Sequence, residues 1–339
     1  MPMAGLAALE LAGDHPVKAP SLSQFLSEWA GADDGRCALT GVISSIAEAA
    51  VPLALRLALA RLPGDPAAPL AENESGDVQK ALDLAAHTHI LDALDRARVA
   101  RLVSEEARDP IVLNGSGLLD VAIDPIDGSG SIGTGAPLGL LFAVFPKGET
   151  FLRPGREIVA AGYVSFGHSV DLGFSVGDGV MLATLDPRDG SFKMAGRAAV
   201  IPERTSTIAY NASNHRHFPA GLRRYIDDCL AGRKGSRGQD FNMRWIAAAV
   251  GDLHRILLKG GVFLYPADAR PGYEKGHLRL LYEAFPIAFL MEQAGGAATD
   301  GDGPILDRTP AEIHEKTPLV FGSAAEVVTL QSYLDSQGD

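Results

Sequence analysis

From Leu39 to Leu62 apolar residues recur at three- and four-residue spacing in Ala- and Leu-rich text that stops at Pro63-Gly64. That spacing predicts an amphipathic helix followed by a loop through Pro66, Pro69 and Gly76. A second helical pattern covers about Asp77 to Ala97, with Leu82, Ala85, Ala86, Ile90, Leu91 and Leu94 on the buried side. Shorter apolar runs follow at Val99–Val103, Leu118–Ile123, Leu138–Phe145 and Ile158–Phe166, each closing on polar or Gly-rich text, and these read as strands of a substantial sheet. After a polar stretch at Pro202–Ser206 the pattern alternates again. It predicts a helix at Phe241–Leu258, a strand at Val262–Tyr265, a helix at Leu278–Ala294, a strand at Leu319–Phe321 and a closing helix. This order predicts an α+β or mixed α/β layered fold in two domains, 1–204 and 205–339.

Composition narrows the partners. The chain has 339 residues with 30 Lys+Arg against 42 Asp+Glu, a formal net charge of -12. Such a balance argues against a nucleic-acid binder that works through a global positive field. The two cysteines, Cys37 and Cys229, form no disulfide framework and no metal-ligand spacing, so both are expected as small buried residues in a reducing compartment. The N-terminal text lacks a basic region before its apolar stretch, and the uncharged run Leu138–Phe145 is too short to cross a bilayer. A cytoplasmic protein without a membrane partner is the expectation. The charge is nevertheless uneven: 12 acidic and 5 basic residues lie between Glu72 and Asp127, whereas 9 basic and 4 acidic lie between Asn211 and Lys259. One region is suited to cations and the other to an anion.

The strongest chemical signal is Asp124-Pro125-Ile126-Asp127-Gly128-Ser129, directly after a strand-like run. Pro125 fixes its own φ and pushes Asp124 into an extended conformation, so two carboxylates are expected to project from a stiff turn at a strand end. Paired hard oxygens suit Mg²⁺. Gly128 permits close backbone approach, and a helical turn starting at Ser129 would present free N–H groups to an anion. Alone, Asp-Pro-x-Asp-Gly is an ordinary turn. Here Glu105-Glu106 closes the preceding strand and Asp77 and Asp83 open the preceding helix, so three acidic stations converge on one edge. A multi-metal cage for phosphoryl transfer is the reading this supports.

These strings carry a resemblance. Gly76-Asp77-Val78-Gln79-Lys80-Ala81-Leu82-Asp83, Ser104-Glu105-Glu106 and the Asp124–Ser129 string are similar to those of class I fructose-1,6-bisphosphatases, within the Mg²⁺-dependent, lithium-sensitive phosphatase superfamily. Asp252-Leu253-His254-Arg255, the string from Lys259 to Pro266 and Leu278-Arg279-Leu280-Leu281-Tyr282-Glu283 narrow the resemblance to the sugar bisphosphatases. It runs from about Ser21 to Val327 and implies a layered α-β-α-β-α fold, hydrolysis of the 1-phosphate of fructose 1,6-bisphosphate, and a homotetramer. It also implies two or more Mg²⁺ per subunit, with Mn²⁺ as a substitute, held by Glu105, Asp124, Asp127, Glu283 and the backbone carbonyl of Ile126. Pattern alone reads Glu283 as a helix-surface acid. Asp83 or Glu106, with Asp77, resembles the group that takes a proton from the attacking water, while the N–H groups of Gly128, Ser129 and Gly130 would hold the same phosphate. Asn211, His215, Arg244, Trp245 and Tyr265 match the positions that grip the distal phosphate, the Arg being contributed by a neighbouring subunit. Sedoheptulose 1,7-bisphosphate is the alternative substrate; an inositol-phosphatase-like enzyme and a non-catalytic sugar-phosphate-binding regulator are weaker alternatives.

The chain also departs from the family pattern. His215 and Trp245 stand where Tyr is usual, and Gly130 where a second Ser is usual. A substrate-binding Lys is replaced by the text Lys275-Gly276-His277, leaving either Lys275 or His277 for its role. At the family's AMP-binding positions the chain reads Arg36-Cys37-Ala38-Leu39-Thr40 and Leu118-Leu119, which predicts weak or absent AMP inhibition there.

Overall fold

The computed structural model describes residues 9, 11, 12, 14, 18–72, 78–194 and 198–336. The chain opens with helix α1 (Leu22–Ala30), whose N-cap Ser21 accepts from Gln24 N, and α2 (Asp34–Ala58), capped likewise by Asp33. A two-stranded ribbon, β1 (Pro69–Glu72) and β2 (Val78–Lys80), leads into α3 (Ala81–Asp95). Eight strands follow: β3 (Val99–Ser104), β4 (Ile111–Val112), β5 (Leu119–Asp127), β6 (Leu138–Pro146), β7 (Ala160–Phe166), β8 (Val170–Ser175), β9 (Met181–Asp186) and β10 (Ser191–Met194). They form one sheet in the order β10-β9-β8-β7-β6-β5-β3-β4, antiparallel except for the parallel pair β3 and β5. β11 (Thr207–Tyr210), α4 (Ala220–Leu230), β12 (Asn242–Met243), α5 (Ala249–Lys259) and β13 (Val262–Tyr265) come next. The chain closes with β14 (Leu278–Arg279), a wide π-helical turn at Leu280–Ala284, α6 (Phe285–Gln293), β15 (Gly296–Thr299), β16 (Lys316–Thr317), β17 (Leu319–Ser323) and α7 (Ala324–Asp335). The second sheet runs β12-β11-β13-β17-β15.

Among the described residues, three apolar cores separate these elements into five layers. Val42, Ile43, Ile46 and Leu82 from the N-terminal helices pack on one face of the large sheet with Val121, Ile123 and Leu140. Ala122, Leu141 and Tyr163 on the opposite face meet Leu253 of α5, Phe285 and Leu290 of α6, and Phe263 and Phe321 of the second sheet. The outer face of that sheet is covered by Leu222 and Ile226 of α4 and Val327 and Leu330 of α7. The result is the expected α-β-α-β-α stacking. β6 and β7 are helix-covered on both sides, which is why they read as continuous apolar runs.

Several local expectations change. The first long helix runs from Asp34 to Ala58, earlier than its apolar pattern, because Asp33 supplies the cap. This helix is long and apolar enough to cross a membrane by length and composition, yet Val42, Ile43, Ile46 and Ala50 are buried inside the protein. In α3 the side chain of Ala85 is exposed, and Ala93 takes the buried position instead. Phe241–Leu258 is not one helix: Asn242–Met243 pairs in parallel with β11, and α5 begins only at Ala249. Leu278–Ala294 likewise begins as a strand paired with Lys316–Thr317. Cys229 is buried as expected, whereas Cys37 is exposed, because it lies on the solvent side of the first turn of α2 while Ala38 faces inward.

Candidate active site

β5 does not stop before its acidic residues; it continues through Asp127. Asp124 pairs with Leu141 and Asp127 with Gly139, so three steps on β5 match two on β6. One extra residue is therefore accommodated as a bulge, where the missing N–H of Pro125 costs no ladder bond. Side chains alternate along a strand, so residues three apart would normally lie on opposite faces. The bulge resets that alternation. Val121, Ile123 and Ile126 all pack toward the N-terminal helices, whereas Asp124 and Asp127 share the face of Ala122. The expected turn is thus a bulged strand.

Glu283 meets them there. Oxygens of Asp124, Asp127 and Glu283 lie within 4.8 Å of one another, and all three side chains are buried. Glu283 is 7% exposed, not the helix-surface acid that pattern suggests, because the π-turn aims it inward. Its Oε2 accepts from Arg279 N at 2.5 Å. Asp124 Oδ1 accepts from Ile126 N at 2.9 Å, and Asp127 Oδ2 from Val250 N at 2.7 Å. Glu105 follows β3, which lies beside β5, and its half-buried carboxyl bonds that of Asp124. Ile126 keeps its side chain on the opposite face.

Burial dominates the protonation of this group. It pushes Glu105 up to about 7; the bond to Asp124 opposes the shift and the Glu106 charge adds to it. Burial takes Asp127 to about 6 against the stabilising Val250 N–H. Asp124 and Glu283 rise well above the usual carboxylate range, through burial first and then mutual repulsion with Glu105 and Asp127. Each uncompensated buried carboxylate costs several kcal/mol. Asp124, Asp127 and Glu283 converging on one point, with Glu105 bonded beside them, fit a divalent cation, whose hard oxygen ligands these are.

The flanks carry the other expected residues. Gly128 sits at φ 81°, and a Cβ there would come 2.8 Å from that of Ala248. A 3₁₀ turn over Ser129–Ser131 follows, so the amides of Gly128, Ser129 and Gly130 precede the first one bonded within the turn, Ser131 N to Gly128 O at 2.8 Å. Lys80 Nζ donates to Ser129 O at 2.5 Å and ties the start of α3 to this turn. Asp83 is buried in the first turn of α3, accepts from Lys80 N at 3.1 Å through Oδ2, and leaves Oδ1 without a partner. Burial raises its pKa, opposed by Lys80. Glu106 accepts from Gln79 Nε2 at 2.6 Å. Asp77 lies outside the described residues.

The expected distal residues gather at one end of the second sheet. Asn211 follows β11, Arg244 follows β12 and Tyr265 ends β13, three strands in parallel register. Trp245, half-buried, stacks on Phe263 at 5.3 Å and on Tyr265 at 6.3 Å between centroids. Tyr265 continues onto His277 at 5.9 Å, and His277 onto Tyr273 at 5.0 Å. Lys275 is exposed and lines a groove of about 1250 Å³ with Arg308 and Lys316. Asn211 Oδ1 accepts from Ser213 N at 3.2 Å, and His215 faces Asp227 at 3.0 Å. Arg244 is exposed and donates to Met243 O at 2.8 Å. The basic region around these residues is not one patch, since Arg237 is held by Glu326 and Arg255 by Asp252.

Two contributors escaped the sequence reading. Arg279, buried at the end of β14, stabilises the charges of Glu105 and Glu283. Lys80 brings an ammonium to the amide turn. Both lie inside strings that carry the family resemblance, Gly76–Asp83 and Leu278–Glu283, which was the available signal. Five positions after Trp245, Val250 holds Asp127, so one segment joins the aromatic stack to the carboxylates.

A carboxylate cage beside a turn of backbone amides, set between two sheets, is the arrangement of a metal-dependent phosphatase. Family models agree: fructose-1-6-bisphosphatase N-terminal domain over residues 21–197 and fructose-1-6-bisphosphatase C-terminal domain over residues 201–335. The chain therefore belongs to the class 1 fructose-1,6-bisphosphatase family. It is 51% identical to the enzyme of that name from Brucella anthropi over 337 residues, covering 98% of this chain and 99% of the relative. The Brucella suis protein is 51% identical over 328 residues, 96% of each chain. Leishmania major fructose-1,6-bisphosphatase in holo form superposes with a TM-score of 0.87 at 29% identity, covering 94% of this chain and all of that one.

Proposed function

We propose that the protein hydrolyses the 1-phosphate of D-fructose 1,6-bisphosphate to fructose 6-phosphate and phosphate, with Mg²⁺ as cofactor. The observation that carries this reading is the buried meeting of Asp124, Asp127 and Glu283 beside the Gly128–Ser131 turn. When bound there, divalent cations supply charge neutralisation on phosphate and a more acidic water. Glu105, Asp124, Asp127 and Glu283 are the ligands in this reading, with the carbonyl of Ile126. The amides of Gly128, Ser129 and Gly130 orient the phosphate, and Lys80 adds positive charge at the same turn. Asp83 is the proton acceptor: its Oδ1 is unpartnered, and burial raises its pKa toward the working pH, while Glu106 is engaged by Gln79.

The distal phosphate is assigned to Asn211, His215, Trp245 and Tyr265, with His277 rather than Lys275 at the sugar, since His277 lies in the aromatic stack. Arg244 is exposed and bonded to one neighbouring carbonyl, which suits delivery to an adjacent subunit of a cytoplasmic homotetramer. Division into domains 1–204 and 205–339 belongs to the same reading; the eight-stranded sheet ends at Met194 and the second begins at Thr207. The test is phosphate release from fructose 1,6-bisphosphate, sedoheptulose 1,7-bisphosphate and inositol 1-phosphate, each with Mg²⁺ and with EDTA. Turnover of the first, abolished by EDTA, is expected. Activity that survives EDTA overturns the metal role, and preference for another substrate overturns the specificity.

A further inference from the structure

The Glu105-Glu106 loop and the turn carrying Glu283 belong to different parts of the fold, and their charges repel. Glu105 follows β3 of the large sheet, whereas Glu283 lies in the π-turn after β14. Burial brings them close enough for Glu105 to be the strongest charged influence on Glu283. The side chain of His314 bridges the two segments. His314 Nδ1 lies 2.8 Å from the hydroxyl of Tyr282, the residue before Glu283. Its Nε2 lies 3.1 Å from the backbone oxygen of Arg108, two residues after Glu106.

Donor and acceptor chemistry fixes the arrangement. A carbonyl oxygen only accepts, so Nε2 donates to Arg108 O, and in the neutral ring Nδ1 accepts from the Tyr282 hydroxyl. Tyr282 is fully buried, and its ring meets His314 edge-on at 5.8 Å between centroids. The platform under His314 is stiff. Glu315 O accepts from Leu280 N at 2.8 Å, and Lys316–Thr317 pairs with Leu278–Arg279 beside the π-turn. Arg308 donates to Glu315 Oε1 at 2.5 Å and to Asp300 at 2.9 Å.

Resting on the metal reading above, we infer that His314 is a positioning residue: it clamps the Glu105-Glu106 loop to the Glu283 turn and so holds the carboxylate cage at the separation a divalent cation needs. It touches no reacting atom. Its removal lets the loop relax away from Glu283, which weakens cation binding before it weakens sugar binding. Partners that orient metal ligands are worth roughly 10- to 100-fold in metal affinity.

The experiment titrates Mn²⁺ into the substrate-free full chain, reading bound ion by electron paramagnetic resonance, for the unmodified protein, His314→Ala, Tyr282→Phe and the double variant. His314→Gln, which keeps a donor toward Arg108, serves if the alanine variant does not fold. Mn²⁺ affinity is expected to fall about tenfold in His314→Ala and less in His314→Gln. Tyr282→Phe is expected to add nothing in the alanine background, because Tyr282 acts through His314. KM for the sugar bisphosphate stays unchanged. Unmodified Mn²⁺ affinity in a folded His314 variant, or additive effects of the two substitutions, overturns the clamp. An unmodified protein that binds no Mn²⁺ overturns the metal reading and the clamp with it.

Discussion

The backbone N–H of Val250 reaches Asp127 Oδ2 at 2.7 Å across 123 positions of sequence. It can do so because the side chain of Val250 occupies the space a Cβ at Gly139 would need, directly opposite Asp127 in the β5–β6 ladder. Gly139→Ala therefore pushes α5 off the sheet and takes the donor from Asp127. Turnover should fall about tenfold or more, and the Mg²⁺ requirement should rise, as expected when a ligand loses its orienting partner. A variant with unmodified kinetics and Mg²⁺ dependence would show that the close approach is dispensable.

Protonation of the cage sets a pH dependence. Without cations, Glu105 holds its proton to about 7 and Asp127 to about 6, above the values of the unfolded chain. The native state then binds more protons, so the contribution of these groups to stability is full below their unfolded pKa values and lost as pH rises through about 6 to about 7. A divalent cation bound by these carboxylates would remove this loss by compensating the charges. The difference in melting temperature between Mg²⁺ and EDTA should grow from about pH 5 to about pH 8. A constant difference across that range, read by calorimetry, would sink the assignment.

His277 and Lys275 make different predictions. His277→Ala opens the stack between Tyr265 and Tyr273 and should raise KM for the sugar bisphosphate with little change in kcat. Lys275→Ala, at an exposed groove, should leave both nearly unmodified. Reversal of these effects in steady-state kinetics would return the role to Lys275.

AMP should inhibit weakly or not at all at the family's usual position. Leu119 is buried, and the Thr40 hydroxyl donates to Leu26 O at 3.4 Å. Neither is free for a nucleotide phosphate. Micromolar inhibition of the pure enzyme that is lost on substitution of Thr40 would contradict this.

Much of this site was legible in the sequence because its residues sit where elements end. Val262–Tyr265 is a strand at the predicted residues, and Gly128 heads a helical turn as its position before Ser129 implied. Glu283 was not legible from pattern. Leu280, Leu281, Tyr282, Glu283 and Ala284 are all buried, and a run that is apolar on every side carries no periodicity to separate a π-turn from a helix. Asn242–Met243 follows the same logic: its helical spacing is overridden by pairing with β11, a contact made in space rather than in sequence. The meander Val170–Met194 was missed because its strands are short and largely half-buried, with Gly and Asp between them.

The bulge at Pro125 and Ile126 makes the cage depend on counting as much as on chemistry. Exchanging either residue for another leaves the parity of β5 intact. Removing one of them would preserve every carboxylate and the net charge, yet it would turn Asp127 to the face of β5 that carries Val121 and Ile123. Buried on the face that packs on the N-terminal helices, it would cost several kcal/mol if it stayed ionised. Length at this point of the strand is therefore under tighter constraint than identity.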